Sequence, residues 1–415
     1  MRIGLFLESA HNSGGAFQAA LSTIEALLHQ NKSGHSYVVF TPSEENQQFL
    51  SKLKIDAVRY RHGGFRLIDR WSATVVGNAI LRRLRRVGLR RLGRHLDALL
   101  NDYGIDLALF PEIGDSVLRI GDHPFIVMIM DLDHRDHPEF PEHFYDRYFE
   151  RRERSLAITL TRAIAVITNC SYYADKIARL YHVDLERIIV LPFLPSLNVR
   201  RYAVGDKAVT LEEVKKKYSL PDRYVFYPVY FSFHKNHLYV LEGLVELQRR
   251  YGVTMHAVFC GGGDPGDQEN VETQVRALGL SKEVHFLGLV PDDDVPALYQ
   301  GALSLVMPAY YAPTNLPPLE AMALGCPVIY SDYPGFREQL GDAALYCDLT
   351  NASSLADHLM SLTENPALVR CLRQAGYRLA NDLAKIDYGE RLAPVLDKYA
   401  YVSRRWSWPE KLLRR

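Results

Sequence analysis

The sequence predicts an α/β protein made of two Rossmann-like domains, each a doubly wound parallel sheet. Three observations support this. A chain of 415 residues exceeds what one compact core holds. Short apolar runs alternate with helical patterns, the mark of repeated βαβ units. A stretch without periodicity, from Pro192 to Asp206, separates two similar sets of such units and reads as a linker. The first domain is expected over residues 1–197 and the second over 207–395.

The expected strands of the first half are Ile3–Leu7, Tyr37–Phe40, Leu107–Phe110, Phe125–Met130, Ala163–Thr168 and Ile188–Leu191. A helix, Phe17–Leu28, follows the first of them. Strands resume at Tyr224–Pro228, His256–Phe259, Val284–Leu287, Leu303–Met307, Val328–Ile329 and Ala344–Tyr346. Each is a short apolar run, as strands buried on both faces require. In such sheets ligands bind beyond the carboxyl ends of the strands, so motifs that follow strands carry the most weight.

Composition excludes little. Hydrophobic content of 47% and charged content of 24% suit an ordinary globular protein, and a formal net charge of zero points to no partner. The five cysteines, Cys170, Cys260, Cys326, Cys347 and Cys371, lack metal spacing and read as reduced thiols, most of them buried. Met1-Arg2 leads directly into an apolar strand, so no signal peptide is read, and no run approaches the length of a membrane span. A cytoplasmic protein is expected.

The densest motif runs from Pro308 to Tyr330. A Pro-rich loop leads into Leu319-Glu320-Ala321-Met322-Ala323, read as the first turns of a helix. Gly325-Cys326-Pro327 stops that helix, and Val328-Ile329-Tyr330 opens a strand. An open helix start offers unpaired N–H groups and a positive dipole end, a ready phosphate site. A carboxylate one turn inside, Glu320, is placed to accept hydrogen bonds from a ribose. Together these parts suggest a pocket for a nucleoside diphosphate.

This stretch resembles glycosyltransferase family 4, the retaining enzymes of the GT-B fold. Glu320 matches the second Glu of the family signature, and Leu316-Pro317-Pro318-Leu319 matches the end of its loop. The first Glu falls at Ala312, and Pro313-Thr314-Asn315 replaces Gly-Phe-Gly. Thr314, Asn315 and Leu316 are the candidate donor contacts there. The resemblance also covers Phe226 to His237. The family places an Arg and a Lys on the donor diphosphate; Lys235 matches the Lys, and Tyr230 stands at the Arg. His234, His237 and Asn236 flank Lys235, and Asn236 is a favoured helix-capping type.

Ser13-Gly14-Gly15 follows the first strand and reads either as a tight turn or as an anion-binding helix start. By resemblance Gly14 and Gly15 line the donor phosphates. The glycine turn around Gly262 and the loop at Val290 look like the family's base-binding region. Asp292-Asp293-Asp294 reads as a helix-start cluster rather than a metal site. After the fourth expected strand, Met130-Asp131 stands where the family carries His-Asp, with Asp131 matching and His134 and His137 as replacements for the His.

Seven arginines between Arg82 and Arg94, interleaved with Leu84, Val87 and Leu92, form a basic amphipathic pattern. It suits either an anionic membrane surface or a solvated face. No base-reading module accompanies it, so nucleic acid is not expected. The C-terminal Arg- and Trp-containing segment 396–415 reads as a second interfacial contact or, by resemblance, as a helix returning to the first domain.

The resemblance therefore implies a GT-B glycosyltransferase, with two Rossmann-like domains facing a central cleft. It would move a sugar from a nucleoside-diphosphate donor to a hydroxyl of a glycan or lipid-linked acceptor, in surface polysaccharide or lipopolysaccharide synthesis. No metal or other cofactor is expected. Lys235, Asp131 and Glu320 are the expected catalytic groups: Lys235 balances the departing diphosphate, and Asp131 is the base if configuration inverts. Two alternatives stay open: a sugar-nucleotide epimerase on the same scaffold, and a partner subunit degenerate at Ala312, Tyr230 and Met130.

Overall fold

The computed structural model describes residues 1–11, 14–29, 34–60, 95–203, 205, 209–312 and 316–405. Its strands form two sheets, of seven and six strands, and every pairing is parallel. The first contains β1 (Arg2–Phe6), β2 (Ser36–Thr41), β3 (Ala57–Arg59), β4 (Leu107–Phe110), β5 (Phe125–Ile129), β6 (Ala165–Thr168) and β7 (Ile188–Val190). The second contains β8 (Tyr224–Pro228), β9 (His256–Cys260), β10 (Val284–Phe286), β11 (Ser304–Met307), β12 (Val328–Ser331) and β13 (Ala344–Cys347).

The strand orders are β3-β2-β1-β4-β5-β6-β7 and β10-β9-β8-β11-β12-β13. In each sheet the winding reverses once, between β1 and β4 and between β8 and β11. Such a reversal opens a crevice at the carboxyl ends of the two strands, where doubly wound sheets hold their ligands.

Both faces of the first sheet are covered. Ile3, Leu5, Leu107, Leu109, Ile126 and Met128 join one apolar cluster, which continues through the second sheet. Phe6, Phe40, Ala108, Phe110, Val127 and Ile129 alternate with them and join a second cluster. That alternation explains why each strand reads as an unbroken apolar run.

Three features depart from expectation. β3 is absent from the expected strands, since Ala57-Val58-Arg59 is too short and too polar to register. The segment expected to be a linker carries a helix, Leu197–Ala203. Arg200 holds it by donating to the Pro195 carbonyl and to Glu25 of the helix Gly15–His29, at 3.1 and 2.7 Å. So short a helix is fixed by tertiary bonds rather than by its own pattern. Asn236 occupies the start of the helix His237–Tyr251 without a side-chain capping bond, because its backbone is left-handed, with φ 56°.

The helix Tyr388–Arg405 lies against Gly15–His29, and Tyr399 Oη donates to the Asp106 carbonyl at 3.2 Å. The chain's last described turns thus meet the first sheet's domain. Arg82–Arg94 and residues 406–415 lie outside the described residues. No described helix is long and apolar enough to cross a membrane. Four cysteines are buried and Cys371 is exposed; all are free.

The helix Leu316–Ala323 stops as its sequence implies. Gly325 is left-handed, with φ 73°. Its N–H donates to the Met322 carbonyl, and the Cys326 N–H donates to the Ala321 carbonyl, the paired bonds of a Schellman stop. A Cβ at Gly325 would lie 2.1 Å from Tyr377 Oη. Gly325→Ala is therefore expected to cost about 1–2 kcal/mol from backbone conformation alone. Thermal unfolding should show a melting temperature several degrees lower, and an unchanged value would contradict this description of the stop.

Candidate active site

The crevice between β8 and β11 is built mainly by three loops. After β8 the chain runs through Tyr230 and Ser232 into a tight turn, Phe233–Lys235. Beside it, the glycine loop after β9 pairs backbone to backbone: Phe231 N donates to the Gly262 carbonyl at 2.8 Å, and Phe231 bridges Gly263. Side chains cannot fit there, since a Cβ on Gly261 would lie 2.4 Å from the Val229 carbonyl oxygen. Gly261 and Gly263 also hold φ of 141° and 154°. After β11, Tyr310 and Tyr311 complete the wall, with the Tyr310 N–H donating to the His234 carbonyl at 2.9 Å.

Lys235 is the key group. It is 5% exposed, and its Nζ makes no ion pair among the described residues. Its Nζ lies over the Tyr230 ring, 5.3 Å from the centroid. Burial pulls its pKa down to about 8, while the fields of Asp133, Asp131 and Glu142 oppose that fall. A desolvated cation without a bonded anion is costly unless a ligand supplies the anion.

His234 and Glu142 tie this loop to the first sheet. Glu142 Oε1 accepts from His234 N at 3.2 Å, from His234 Nδ1 at 3.0 Å and from Ser232 Oγ. Burial alone would raise the Glu142 pKa, but the bonds from His234 and Ser232 outweigh it and bring it down to about 2. Burial brings His234 down to about 4, so its ring is neutral. The proton is assigned to Nδ1, facing the carboxylate, and Nε2 accepts from Tyr230 Oη at 3.2 Å. Tyr311 lies parallel to the His234 ring, 4.2 Å between centroids, and also stacks on His137 and His143 of the first domain.

The loop after β5 holds the acids. Arg152 donates to Asp131 Oδ1 at 2.6 Å, and the Asp133 N–H donates to the same oxygen at 3.1 Å. Asp133 is buried; burial and the Asp131 charge raise its pKa well above the carboxylate range. Tyr173 Oη donates to Asp133 Oδ1 at 2.8 Å. Asp136 binds Lys176 and accepts from Tyr333 Oη at 2.8 Å, a second bond between the two halves.

Lys235, His234 and Asp131 therefore converge on one cleft. Asp131 does not stand there as a free base: its carboxylate is held by Arg152, which argues against the base role the sequence suggested. His134 is turned away, bonded through Nε2 to Glu153 at 2.7 Å. Asn236 is beside Lys235, and its buried Nδ2 has no partner among the described residues. Gly262 and Val290 lie in the loops beyond β9 and β10. Leu316 is buried at the start of its helix. Glu320 Oε2 accepts from Tyr299 Oη at 3.0 Å; burial raises its pKa, and bonds from Ser196 and Tyr299 oppose the rise. Gly14 is exposed, with φ 67° and no atom near its missing Cβ, and Gly15 begins its helix. Thr314 and Asn315 lie outside the described residues. No group of three metal-ligating side chains occurs among the described residues.

Sequence reasoning missed the roles of Glu142, Arg152 and Tyr311. Tyr311 stands within the Pro308–Tyr330 motif, and Glu142 follows His137 by five residues. Their partners come from the other domain, so no local pattern marks them.

Residues 211–379 match the family of glycosyl transferases group 1. Among curated proteins the chain is similar to the O-antigen chain mannosyltransferase B of Escherichia coli, 28% identical over 228 residues, 54% of this chain and 57% of that protein. The chain thus spans little more than half of that relative's length. It is also similar to the O-antigen chain mannosyltransferase RfbU of Salmonella typhimurium, 24% identical over 289 residues, 69% of this chain and 74% of that protein. Among solved structures, a glycosyltransferase from Rickettsia africae superposes with a TM-score of 0.67 at 14% identity, over 97% of this chain and 98% of that one. HepE of Anabaena, solved with UDP-glucose, gives 0.69 at 14% identity, over 96% of this chain and all of that one. The fold is GT-B, and the match over residues 211–379 with the named relatives supports a glycosyltransferase.

Proposed function

We propose that the protein transfers a hexosyl group, mannosyl by its relatives' names, from a nucleoside-diphosphate sugar to a hydroxyl of a growing surface glycan. The observation that carries this reading is the buried ammonium of Lys235, without an ion pair among the described residues, at the reversal between β8 and β11. The donor's diphosphate would supply the missing anion. Charge on that group grows as the glycosidic carbon–oxygen bond breaks, so Lys235 would favour the transition state over the ground state. Tyr230, at the position of the family's Arg, brings no second cation, which leaves more of the task to Lys235. His234, neutral and fixed by Glu142, would contribute a shaped wall and no charge.

Transfer with retention is proposed from the resemblance alone, with the acceptor hydroxyl attacking from the leaving group's own face. The acceptor proton then passes to the departing diphosphate. The domains are proposed to divide near residues 197–207, with the donor in the second and the acceptor entering past the first. Glu320 would hold the ribose, exchanging part of its bonding to Tyr299 and Ser196. A membrane-peripheral setting through Arg82–Arg94 remains part of the proposal and is tested by vesicle binding at low salt.

Lys235→Ala should lower turnover about 100-fold or more while shifting the melting temperature by only a few degrees. Steady-state transfer assays with sugar nucleotides of each base measure this, and a fully active variant would remove Lys235 from the mechanism.

The buried histidines set an acid limit. An unfolded histidine titrates near pH 6.5. Burial lowers His234 and His134 to about 4 and His237 to about 3. Between those values the unfolded chain binds protons that the folded chain refuses, so the histidines' own contribution to stability is complete above about pH 6.5 and falls as pH drops toward 4, while Glu8, Asp133 and Glu320, with raised pKa, act in the opposite sense. The substitution His237→Gln should reduce the loss of melting temperature between about pH 7 and 4.5, and a profile identical to the wild type's would contradict its neutral, buried ring.

A further inference from the structure

Two polar side chains of the first domain are buried at the cleft with bonding capacity unused. His143 is 5% exposed, and neither its Nδ1 nor its Nε2 has a partner among the described residues. Asp133 is 1% exposed; Tyr173 donates to its Oδ1, but its Oδ2 has no partner among them. Polar atoms buried in this way are costly, so each asks for an explanation. Both side chains face the loop of Lys235. The His143 ring lies along Tyr311, 5.4 Å between centroids and 27° between planes. Tyr311 in turn lies along His234, the residue before Lys235. Asp133 opens the short helix Asp133–Asp136, whose Asp136 accepts from Tyr333 Oη of the second domain at 2.8 Å. Of the acids near Lys235, Asp133 is the one whose charge would act on it most. The two groups are also linked on their own side. The Asp133 N–H and Arg152 both donate to Asp131 Oδ1, and Arg152 donates to Tyr148 Oη at 2.7 Å. The Tyr148 ring stacks on His143, 5.8 Å between centroids.

The surrounding charges narrow the ligand. Asp131 is paired to Arg152, Asp136 to Lys176 and Glu153 to Arg135, while Glu142 is bonded to His234 and Ser232. The outlying Glu139, Asp146, Arg147, Arg151 and Arg154 are exposed residues. Burial holds the His143 pKa below its ordinary value, and burial with the Asp131 charge holds Asp133 well above its own, so both favour their neutral forms. The cleft therefore offers one cation without an ion pair among the described residues, Lys235, beside two neutral groups with bonds to give and to accept. A neutral imidazole has one donor and one acceptor nitrogen, and a neutral carboxyl also does both, which suits hydroxyls. The ligand that fits is anionic at one end and hydroxyl-rich at the other.

We propose that His143 and Asp133 bind hydroxyls of the sugar carried by the donor, and so select which sugar is transferred. This rests on the reading of the protein as a glycosyltransferase with the donor diphosphate at Lys235. The transferred sugar is bonded to that diphosphate, so its ring lies next to Lys235, where these two groups stand. A site built to bond a hydroxyl rejects a sugar that lacks it, because the buried groups then stay unmet. The first domain thereby takes part in choosing the donor.

The test is His143→Phe, which keeps a ring against Tyr311 and Tyr148 and removes both nitrogens. Since those nitrogens are unmet without ligand, the variant should melt no lower than the wild type. Calorimetric titration then compares UDP-glucose and GDP-mannose with UDP and GDP. For the sugar nucleotide that the wild type binds best, Kd should rise about tenfold in His143→Phe, the loss of one or two hydrogen bonds, with Kd for the bare nucleotide unchanged. Asp133→Asn, which keeps an acceptor for Tyr173 and a donor for the ligand, should bind close to the wild type, whereas Asp133→Ala should lose about as much as His143→Phe. Equal Kd values for the sugar nucleotide in wild type and His143→Phe would overturn the proposal. So would a variant that melts well below the wild type or loses bare and sugar nucleotides alike, since His143 would then serve the fold or the diphosphate. A wild type that binds UDP or GDP but neither sugar nucleotide rejects this sugar subsite and keeps the reading of Lys235. A wild type that binds none of the four rejects that reading, and the proposal with it.

Discussion

The architecture of the cleft depends on one buried charge. Lys235 is buried beside the Tyr230 ring with no carboxylate bonded to it among the described residues, and burial draws its pKa down to about 8. Taking an ammonium out of water without a partner costs several kcal/mol, which the rest of the fold must support. The β8 loop that carries it is braced on one side by the backbone of Gly261–Gly263 and on the other by Tyr311. Three acids of the first domain, Asp131, Asp133 and Glu142, act on it through their fields.

The same loop also joins the two halves. Glu142 spans from the first domain to His234 and Ser232, and Tyr311 stacks among three histidines from both sides. Farther along the interface, Glu338 accepts from the N–H groups of Ser171 and Tyr172 at 2.6 and 2.8 Å, capping the helix Ser171–Tyr181 from the other domain. These contacts are hydrogen bonds, ion pairs and stacked rings rather than a broad aliphatic seam. The loop that holds Lys235 in place thus also holds the halves together.

Much of the fold was legible because buried parallel strands announce themselves as apolar runs. Twelve of the described strands correspond to expected runs, with ends shifted by a residue or two, and β3 was lost to its length. The helix stop at Gly325 was legible because left-handed backbone calls for glycine. The helix Leu197–Ala203 was not, since Arg200 secures it through Glu25, far away in sequence. In the site, Lys235 could be found from its place after a strand. What could not be read was occupancy. Asp131 reads as a free acid until Arg152 is seen to hold it, and Asn236 reads as a cap until its backbone proves left-handed. Such partners are set by tertiary structure, where local propensity carries no information.

The central claim is that Lys235 awaits an anion. Calorimetric titration with UDP and GDP at pH 8, in buffers of different ionisation enthalpy, tests it most directly. A lysine with a pKa of about 8 is half protonated there, and a diphosphate bound beside it would complete its protonation. Binding should take up about half a proton in the wild type, and that uptake should vanish in Lys235→Ala. Nucleotide binding with equal proton uptake in both proteins would show that the diphosphate does not lie against Lys235.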